Sequence, residues 1–157
     1  MCNYKFIKEG NGNMNLSEKM NKYLCDQQVM FVKLHNIHWY IQGKSFFTLH
    51  EKTEELYNKT AIIIDEVAER MLSLGYKPIA NLKETLSNTS VNELGSEPID
   101  IDKAVSELLT DVKYWINDTK EIVVLAEEKK DTVTADMFNG YLEEYEKLGW
   151  MLEAYSK

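Results

Sequence analysis

Glycine and proline are unevenly distributed along this chain, and their spacing restricts its fold more than any other feature. The 157 residues contain 7 glycines and 2 prolines. Three long intervals contain neither residue type: 13–42, 44–74 and 99–139. Gly and Pro interrupt regular structure, and at about 1.5 Å per residue the first two intervals could each form a helix of about 45 Å. Because strand patterns are also absent from the sequence, the spacing predicts long helices that pack as a bundle.

Local capping signals agree with these boundaries. Asn15 with Glu18 three residues later is typical of a capping box, and Ser45 stands at the start of the second interval. Gly43 is placed to stop the first helix. The third interval is too long for one ordinary helix, and its polar run at residues 127–132 ends in residues that favour helix starts. We therefore divide the interval there and predict four long helices.

One connection is much longer than the others and runs from Gly75 to Pro98. It must return the chain so that the third helix runs in the same direction as the second. It contains the pattern of a short helix at residues 82–87, opened by Asn81 with Glu84 three residues later. The predicted fold class is therefore all-α, a ferritin-like four-helix bundle with one long crossover that contains a short helix.

The composition fits one globular domain. Hydrophobic residues make up 44% of the chain and charged residues 28%. We expect this domain at residues 15–157, after a short N-terminal extension at residues 1–14. No apolar stretch approaches the length of about 18 residues that a membrane span needs, which predicts a cytoplasmic protein with no membrane partner. Cys2 and Cys25 form no CxxC pattern, so neither a zinc knuckle nor a disulfide scaffold is indicated.

The charge balance indicates which partners the chain attracts. Asp and Glu number 26 against 18 Lys and Arg, a formal net charge of −8. Such a chain repels phosphate backbones and acidic lipid surfaces. Cations are the expected partners.

The second interval has two distinct faces. Its core face consists of residues that recur every three or four positions, namely Leu49, Thr53, Leu56, Thr60, Ile63, Val67, Met71 and Leu74. A second set lies about a third of a turn or more away and contains His50, Glu54, Ala61, Asp65 and Glu69. His50 and Glu54 are four residues apart, as are Asp65 and Glu69, so each pair can bind one cation between its side chains.

These two pairs are too far apart to form one site within a single chain. His50 and Asp65 are separated by about 22 Å along a helix, whereas metal–ligand bonds are about 2 Å long. However, His50 and Glu69 lie equally far from the helix midpoint at residues 59–60, and so do Glu54 and Asp65. Two copies packed antiparallel about a twofold axis there would oppose these residues. The sequence therefore predicts two half-sites that a dimer completes.

All three histidines fall within a short window, as His35, His38 and His50. A helical hairpin would bring at least one of the first two close to His50. Imidazole and carboxylate without thiolate suit iron, manganese or zinc. The alternatives are a helix-stabilising role for His35 and a solvated helix face for Asp65 and Glu69, but the common midpoint favours metal binding. The last two helices carry no histidine, which moves any metal centre out of the bundle core and supports a position between subunits.

Several segments together resemble the Dps family of mini-ferritins. They are residues 34–40 (LHNIHWY), 46–51 (FFTLHE), 55–57 (ELY) and 65–70 (DEVAER), followed by Gly75 and Pro78, and the match spans roughly residues 15–155. The resemblance implies a dodecamer, a hollow shell built on twofold dimers. It also implies a ferroxidase that protects against oxidative stress: it oxidises Fe(II), preferentially with hydrogen peroxide rather than dioxygen, and stores the Fe(III) mineral. Each inter-subunit centre would hold two iron ions.

The family's ligand positions can be matched one by one. His38, His50 and Glu54 match the ligands from one subunit, and Asp65 and Glu69 match those from the other. His35 matches no ligand, and Trp39 matches the aromatic residue beside the centre. Glu54 stands where several family members have Asp, which would change the reach to the second iron.

Two further acidic groups match features of the family's shell. Glu127, Asp131 and Asp136 match its negatively charged threefold pores, although a solvated turn between helices is the alternative. Glu51 and Glu55, adjacent to the ligands, are candidates for mineral nucleation on the inner wall.

Two other functions remain open. Several members of the family coat DNA through lysine-rich tails, so a DNA-binding, nucleoid-protecting protein is one alternative. Residues 1–15 contain only Lys5 and Lys8, opposed by Glu9, and the chain stops soon after the fourth helix, which argues against direct DNA binding. A non-catalytic shell with merely solubilising acids is the other alternative.

Overall fold

The computed structural model describes residues 14–157, most of which lie in four long helices. In chain order the elements are α1 (Leu16–Tyr40), β1 (Ile41–Gln42), α2 (Phe46–Ser73), α3 (Leu82–Asn88), β2 (Ile99–Asp100), α4 (Ile101–Glu128) and α5 (Thr132–Tyr155). Helix α1 packs against α2 and α4 against α5, and α1 also contacts α3 and α4. The predicted all-α, ferritin-like bundle with a helix in its long crossover is confirmed. Of the predicted N-terminal extension, residues 1–13 lie outside the described residues.

The predicted caps are present at three helix starts. The Asn15 side chain accepts from the Glu18 amide at 3.1 Å, and the Glu18 carboxylate accepts from the Asn15 amide at 3.0 Å. Asn81 caps α3, and Asp131 caps α5 through the Thr134 amide. Ser45 precedes α2 as expected but makes no side-chain capping bond. Local hydrogen bonding therefore accounts for most of the helix boundaries.

The prediction that Gly43 stops the first helix was wrong. Helix α1 ends at Tyr40, three residues before Gly43, because the next two residues form a parallel strand pair with β2. The pair joins Ile41 to Ile99, and two residues are too few to show a strand pattern in the sequence. Gly43 instead lies in the turn to α2 with a φ of +139°, and a Cβ there would lie 3.0 Å from Cγ1 of Ile101.

The core is apolar but is crossed by buried ion pairs. Six residues of the predicted α2 core stripe are buried: Leu49, Thr53, Thr60, Ile63, Val67 and Met71. Leu56 and Leu74 are only half-buried. The buried Lys33 ammonium pairs with Asp111 at 2.6 Å, and Lys19 pairs with Asp118. Because each pair joins α1 to α4, these contacts fix the two hairpins against each other.

The structure bears on two sequence expectations, the absence of a membrane span and the state of the cysteines. No helix within residues 14–157 is long and apolar enough to cross a membrane. Cys25 is a buried free thiol, and burial raises its pKa to about 11, which disfavours the reactive thiolate. Cys2 lies outside the described residues.

Candidate metal centre

The end of α1 and the start of α2 bring two histidines into direct contact. The rings of His38 and His50 are stacked with centroids 3.6 Å apart and an interplanar angle of 17°. His38 Nδ1 lies 2.9 Å from the His50 carbonyl oxygen, and His50 Nδ1 lies 2.9 Å from the His38 carbonyl oxygen. A carbonyl only accepts, so both Nδ1 atoms donate. The expected approach of one α1 histidine to His50 is confirmed, and the residue is His38.

This reciprocal bonding determines which nitrogen each ring offers to a ligand. A neutral imidazole that donates through Nδ1 keeps a lone pair on Nε2. Metal-binding histidines commonly use one nitrogen for the metal and donate the other N–H to a carbonyl or carboxylate. His38 is buried, His50 is half-buried, and the Phe46 ring stacks on His50 at 4.9 Å. The lone pairs on the two Nε2 atoms are therefore available to bind a metal ion, and packing fixes the rings that carry them.

The carboxylates on the same face of α2 are exposed. Glu54 lies one turn beyond His50, while Asp65 and Glu69 lie about 22 Å and more along the helix from it. Within residues 14–157, neither Asp65 nor Glu69 forms a salt bridge, and no group of three or more His, Cys, Asp or Glu could hold a metal ion. One chain thus presents two separate groups of donor side chains.

Large apolar side chains lie on the same exposed face of α2. Phe47, Ile62 and Leu72 are 79%, 51% and 62% exposed. At about 100° per residue all three lie within a quarter-turn or so of the candidate ligands. Phe47 and Leu72 are equally far from the helix midpoint, as are Tyr57 and Ile62. The apolar residues therefore share the midpoint on which the donor pairs are centred.

A large cavity lies on a different face of α2. Its volume is about 550 Å³, and it lies between α2 and α5, lined by apolar residues that include Leu56, Ile63 and Leu148. None of the five predicted ligands lines it. The cavity and the candidate ligands are therefore separate features of the molecule.

The three predicted pore acids differ in their surroundings. Glu127 and Asp136 are exposed. Asp131 instead caps α5 and accepts hydrogen bonds from Arg70 at 2.7 Å and from the Thr134 hydroxyl at 2.5 Å. Partial burial alone would raise the pKa of Asp131, but the Thr134 bonds and the Arg70 charge hold it below its usual value. Both oxygens of Asp131 are thus occupied within the subunit.

The two candidates for mineral nucleation also differ. Glu51 is exposed on α2. Glu55 pairs with Lys52 at 2.8 Å, at the edge of the cavity. Of these two residues, Glu55 is paired and Glu51 forms no ion pair with the described residues.

Of the three tryptophans, two are exposed and one is buried. Trp39 is 67% exposed and its ring lies 5.4 Å from that of His35, close to the histidine pair. Trp115 is buried in the bundle core. Trp150 is 68% exposed.

Sequence reasoning missed several contacts around the histidines. Thr53, expected only in the core stripe, lies with Oγ1 3.3 Å from His38 Nδ1. Tyr57 stacks on His35 with ring centroids 3.9 Å apart. One indication in the sequence that Tyr57 lies near the candidate site is its position: it follows Glu54 by three residues, and residues three apart share a helix face.

The comparisons with known proteins agree with this architecture. A model of the ferritin-like domain, described as Ferritin, matches residues 17–157. The chain is thus a ferritin-like helical protein. It is 46% identical over 141 residues to general stress protein 20U of Bacillus subtilis, covering 89% of this chain and 96% of the relative. It is 41% identical over 143 residues to DNA protection during starvation protein 2 of Bacillus anthracis, covering 91% and 97%.

Solved structures show which kind of ferritin-like protein the chain resembles. The Dps protein from Bacillus brevis superimposes with a TM-score of 0.87 at 38% identity, covering 90% of this chain and 95% of that one. Dps from Listeria monocytogenes gives 0.88 at 34% identity, covering 93% and 96%. The chain belongs to the Dps family of mini-ferritins.

Proposed function

We propose that this protein oxidises Fe(II) at centres shared between two subunits and stores the Fe(III) product. The observation that carries the proposal is the His38–His50 pair, with both Nε2 atoms free and no carboxylate cluster completing a site within residues 14–157. The membership of this chain in the Dps family supports the same function.

The donor set suits iron as the substrate. His38, His50 and Glu54 would come from one subunit, and Asp65 and Glu69 from its partner. Carboxylate oxygens and imidazole nitrogens bind Fe(II), and the carboxylates favour the harder Fe(III) that oxidation produces. Manganese and zinc accept similar donors, so they are the expected competitors.

The exposed apolar residues support the pairing of subunits. An antiparallel twofold packing of α2 would oppose Phe47 to Leu72 of the partner subunit and Tyr57 to the partner's Ile62. The same packing opposes His50 to the partner's Glu69 and Glu54 to the partner's Asp65. Burying the apolar side chains stabilises the pair at roughly 25 cal/mol per Å², while it brings the two groups of ligands together.

Two iron ions per centre would allow hydrogen peroxide to be reduced to water without release of hydroxyl radicals. Each Fe(II) gives up one electron, whereas hydrogen peroxide needs two electrons and two protons to become two water molecules. Two Fe(II) ions held side by side supply both electrons together, so that no hydroxyl radical is released. Dioxygen would serve as the alternative oxidant.

The storage function requires an assembly larger than the dimer. Family membership supports a homo-oligomeric shell, for which we propose twelve subunits. Exposed Glu127 and Asp136 would attract Fe(II) to entry pores, while Asp131 would maintain the pore wall through its bond to Arg70. Glu51 would seed the mineral, and Glu55 would do so only after Lys52 moves away.

Direct DNA binding is the second candidate, favoured by relatives named DNA protection during starvation protein. The formal charge of −8 opposes it. We propose instead that protection follows from removing Fe(II) and peroxide. A gel-shift assay at low salt and neutral pH tests this: unshifted DNA is expected, and retarded DNA would establish direct binding.

The direct test replaces the predicted partner ligands. Asp65→Ala combined with Glu69→Ala is expected to abolish rapid peroxide-dependent Fe(II) oxidation while the assembled protein stays intact. Asp102→Ala combined with Glu143→Ala, which removes two exposed carboxylates elsewhere, is the matched control and should keep the wild-type rate. An unchanged initial rate in the first variant would reject the inter-subunit centre.

A further inference from the structure

The cavity between α2 and α5 has no role in the proposed iron chemistry. Its volume is about 550 Å³, and none of the five predicted metal ligands lines it. Binding pockets for small molecules commonly have volumes of about 300 to 1,000 Å³ and mostly apolar walls. All four long helices contribute to the apolar wall here, for example through Met30, Ile63, Val112 and Leu148. The cavity thus has the size and lining of a site for a largely apolar molecule.

A second, smaller cavity extends this space toward the end of α5. Its volume is about 280 Å³, and its lining includes Thr48 on α2 and Tyr155 on α5. Leu148 and Met151 line both cavities, so the two spaces adjoin. We call them together the α2–α5 slot. The lining of the slot extends from Thr48 to Ile63, over about 22 Å of α2. A space that is this long for its volume fits an extended alkyl chain better than a compact ring system.

One buried polar atom in the wall of the slot lacks a partner. Within residues 14–157, Trp115 Nε1 is the only buried side-chain polar atom without a hydrogen-bond partner that belongs to a residue lining the larger cavity. Trp115 is 3% exposed. The Thr60 hydroxyl donates to the Leu56 carbonyl oxygen, and the Tyr145 hydroxyl bonds to that of Tyr23. Because buried N–H groups are nearly always paired, we expect the acceptor for Trp115 to be a molecule in the slot.

An ammonium group lies at the same level of the bundle as the Trp115 indole. The Tyr145 ring is 5.2 Å from that of Trp115, and the preceding residue, Glu144, pairs with Lys59 at 3.0 Å. Lys59 also lines the larger cavity. Its side chain is 39% exposed and that of Glu144 is 52% exposed, so their pair contributes little stability and an anion can replace Glu144 at small cost. An indole N–H and an ammonium are two donors, which match the two oxygen atoms of a carboxylate.

We propose that the α2–α5 slot binds a medium-chain carboxylate. Its head group accepts hydrogen bonds from Trp115 Nε1 and the Lys59 ammonium, while its alkyl chain runs between α2 and α5 toward Tyr155. Burial of the chain supplies most of the affinity, and the two donors determine which way the chain lies. Because this site shares no residue with the candidate metal centre, it goes beyond the proposed function, and binding measured without iron tests it independently.

The first experiment is isothermal titration calorimetry of the intact protein with decanoate, for which we expect saturable binding of one molecule per chain. Each buried methylene contributes about fourfold in affinity, so octanoate, which is two methylenes shorter, should bind about 15-fold more weakly. The uncharged 1-decanol keeps the chain but cannot pair with an ammonium, so it should bind about tenfold more weakly. No saturable binding of decanoate, or equal affinity for octanoate or 1-decanol, would overturn the proposal.

Two lysines that line the larger cavity test the position of the head group. Lys59→Met keeps the apolar stem but removes the ammonium, and Trp115→Phe keeps an aromatic ring but removes Nε1. Each should weaken decanoate binding about tenfold. Lys52→Met is the matched control, because Lys52 pairs with Glu55 at 2.8 Å and also lines the smaller cavity, toward Tyr155. It should bind within twofold of wild type. A loss as large as that of Lys59→Met would contradict the proposal.

A cavity-filling variant tests the location of the site. Leu56 is half-buried in the cavity wall, so Leu56→Trp should fill the space and abolish decanoate binding, while circular dichroism and the mass of the oligomer stay as in wild type. Leu109→Trp, at a half-buried position on α4 that does not line the cavity, should bind as wild type does. Undiminished binding to a folded Leu56→Trp protein would overturn the proposal. If Leu56→Trp does not fold, the comparison of the two lysine variants decides.

Discussion

His38 and His50 hold each other through their backbones: each ring donates from Nδ1 to the other residue's carbonyl oxygen at 2.9 Å, and the two rings stack at 3.6 Å. This arrangement joins the last turn of α1 to the first turn of α2 at the point where the predicted ligands begin. Because the backbone supplies both acceptors, no other side chain is needed to set the two tautomers. The orientation of both imidazoles is thus fixed by the fold of the chain itself.

The exposed apolar face of α2 should be the surface through which subunits pair. Ile62→Glu places a charge at the proposed twofold axis and is expected to prevent pairing and to stop Fe(II) oxidation, because both half-sites lose their partner. Light scattering coupled to size exclusion gives the mass, and circular dichroism checks that the helices remain. Val124→Glu, at an equally exposed position on α4, should keep the oxidation rate. A paired and active Ile62→Glu protein would place the axis elsewhere.

Arg70 should stabilise the fold by joining the end of α2 to the start of α5. Its guanidinium donates to Asp131 at 2.7 Å and to the Thr134 hydroxyl at 2.9 Å, and its side chain is largely buried. Arg70→Met is expected to lower the free energy of unfolding by about 1 to 3 kcal/mol. Lys120→Met, which breaks an exposed pair with Glu146, should cost less than about 1 kcal/mol. Equal losses in urea unfolding would contradict this account.

Alkaline pH should destabilise the protein through its buried tyrosines. The hydroxyls of Tyr23 and Tyr145 lie 2.5 Å apart, and burial raises the pKa of each above the usual value of about 10. The folded state therefore keeps protons that the unfolded chain releases, and stability falls as pH rises above about 10. Tyr23→Phe should reduce this slope by up to about 1.4 kcal/mol per pH unit. Urea unfolding from pH 8 to 11 measures it, and identical slopes would refute the assignment.

Lys130 is a non-glycine residue in a left-handed conformation, with a φ of +60° in the turn between α4 and α5. Its amide bonds to the Glu127 carbonyl at 2.8 Å, which closes the end of α4. Lys130→Gly should raise the free energy of unfolding by about 0.5 to 1 kcal/mol, because glycine avoids the steric cost of this conformation. Lys129→Gly, at a φ of −83°, should lower it. If Lys130→Gly instead lowers the free energy of unfolding and Lys129→Gly raises it, the turn is not strained.

The sequence predicted those parts of the fold that depend on local patterns. The capping box at Asn15, the short helix after Asn81 and the division before Thr132 all follow from hydrogen bonds between residues a few positions apart. The α2 core stripe follows from helical periodicity in the same way. These features need no information about the rest of the chain.

Contacts between distant segments could not be predicted in this way. The strand pair joins Ile41 to Ile99, and Arg70 meets Asp131 across 61 residues, without any periodic pattern to indicate either contact. The candidate site likewise combines features that local spacing predicts with contacts that it does not predict. The spacing on α2 indicated the four candidate ligands there, whereas the stacking of Tyr57 on His35 became visible only in the packed structure.

The most direct measurement combines two inactive variants, His50→Ala and Asp65→Ala, by co-expressing them and assaying peroxide-dependent Fe(II) oxidation. In a mixed dimer one centre carries both substitutions and the other carries neither. If the ligands come from two subunits, random pairing should restore about a quarter of the wild-type rate. If the mixture stays as inactive as either variant alone, although mass spectrometry shows mixed dimers, the shared centre is contradicted.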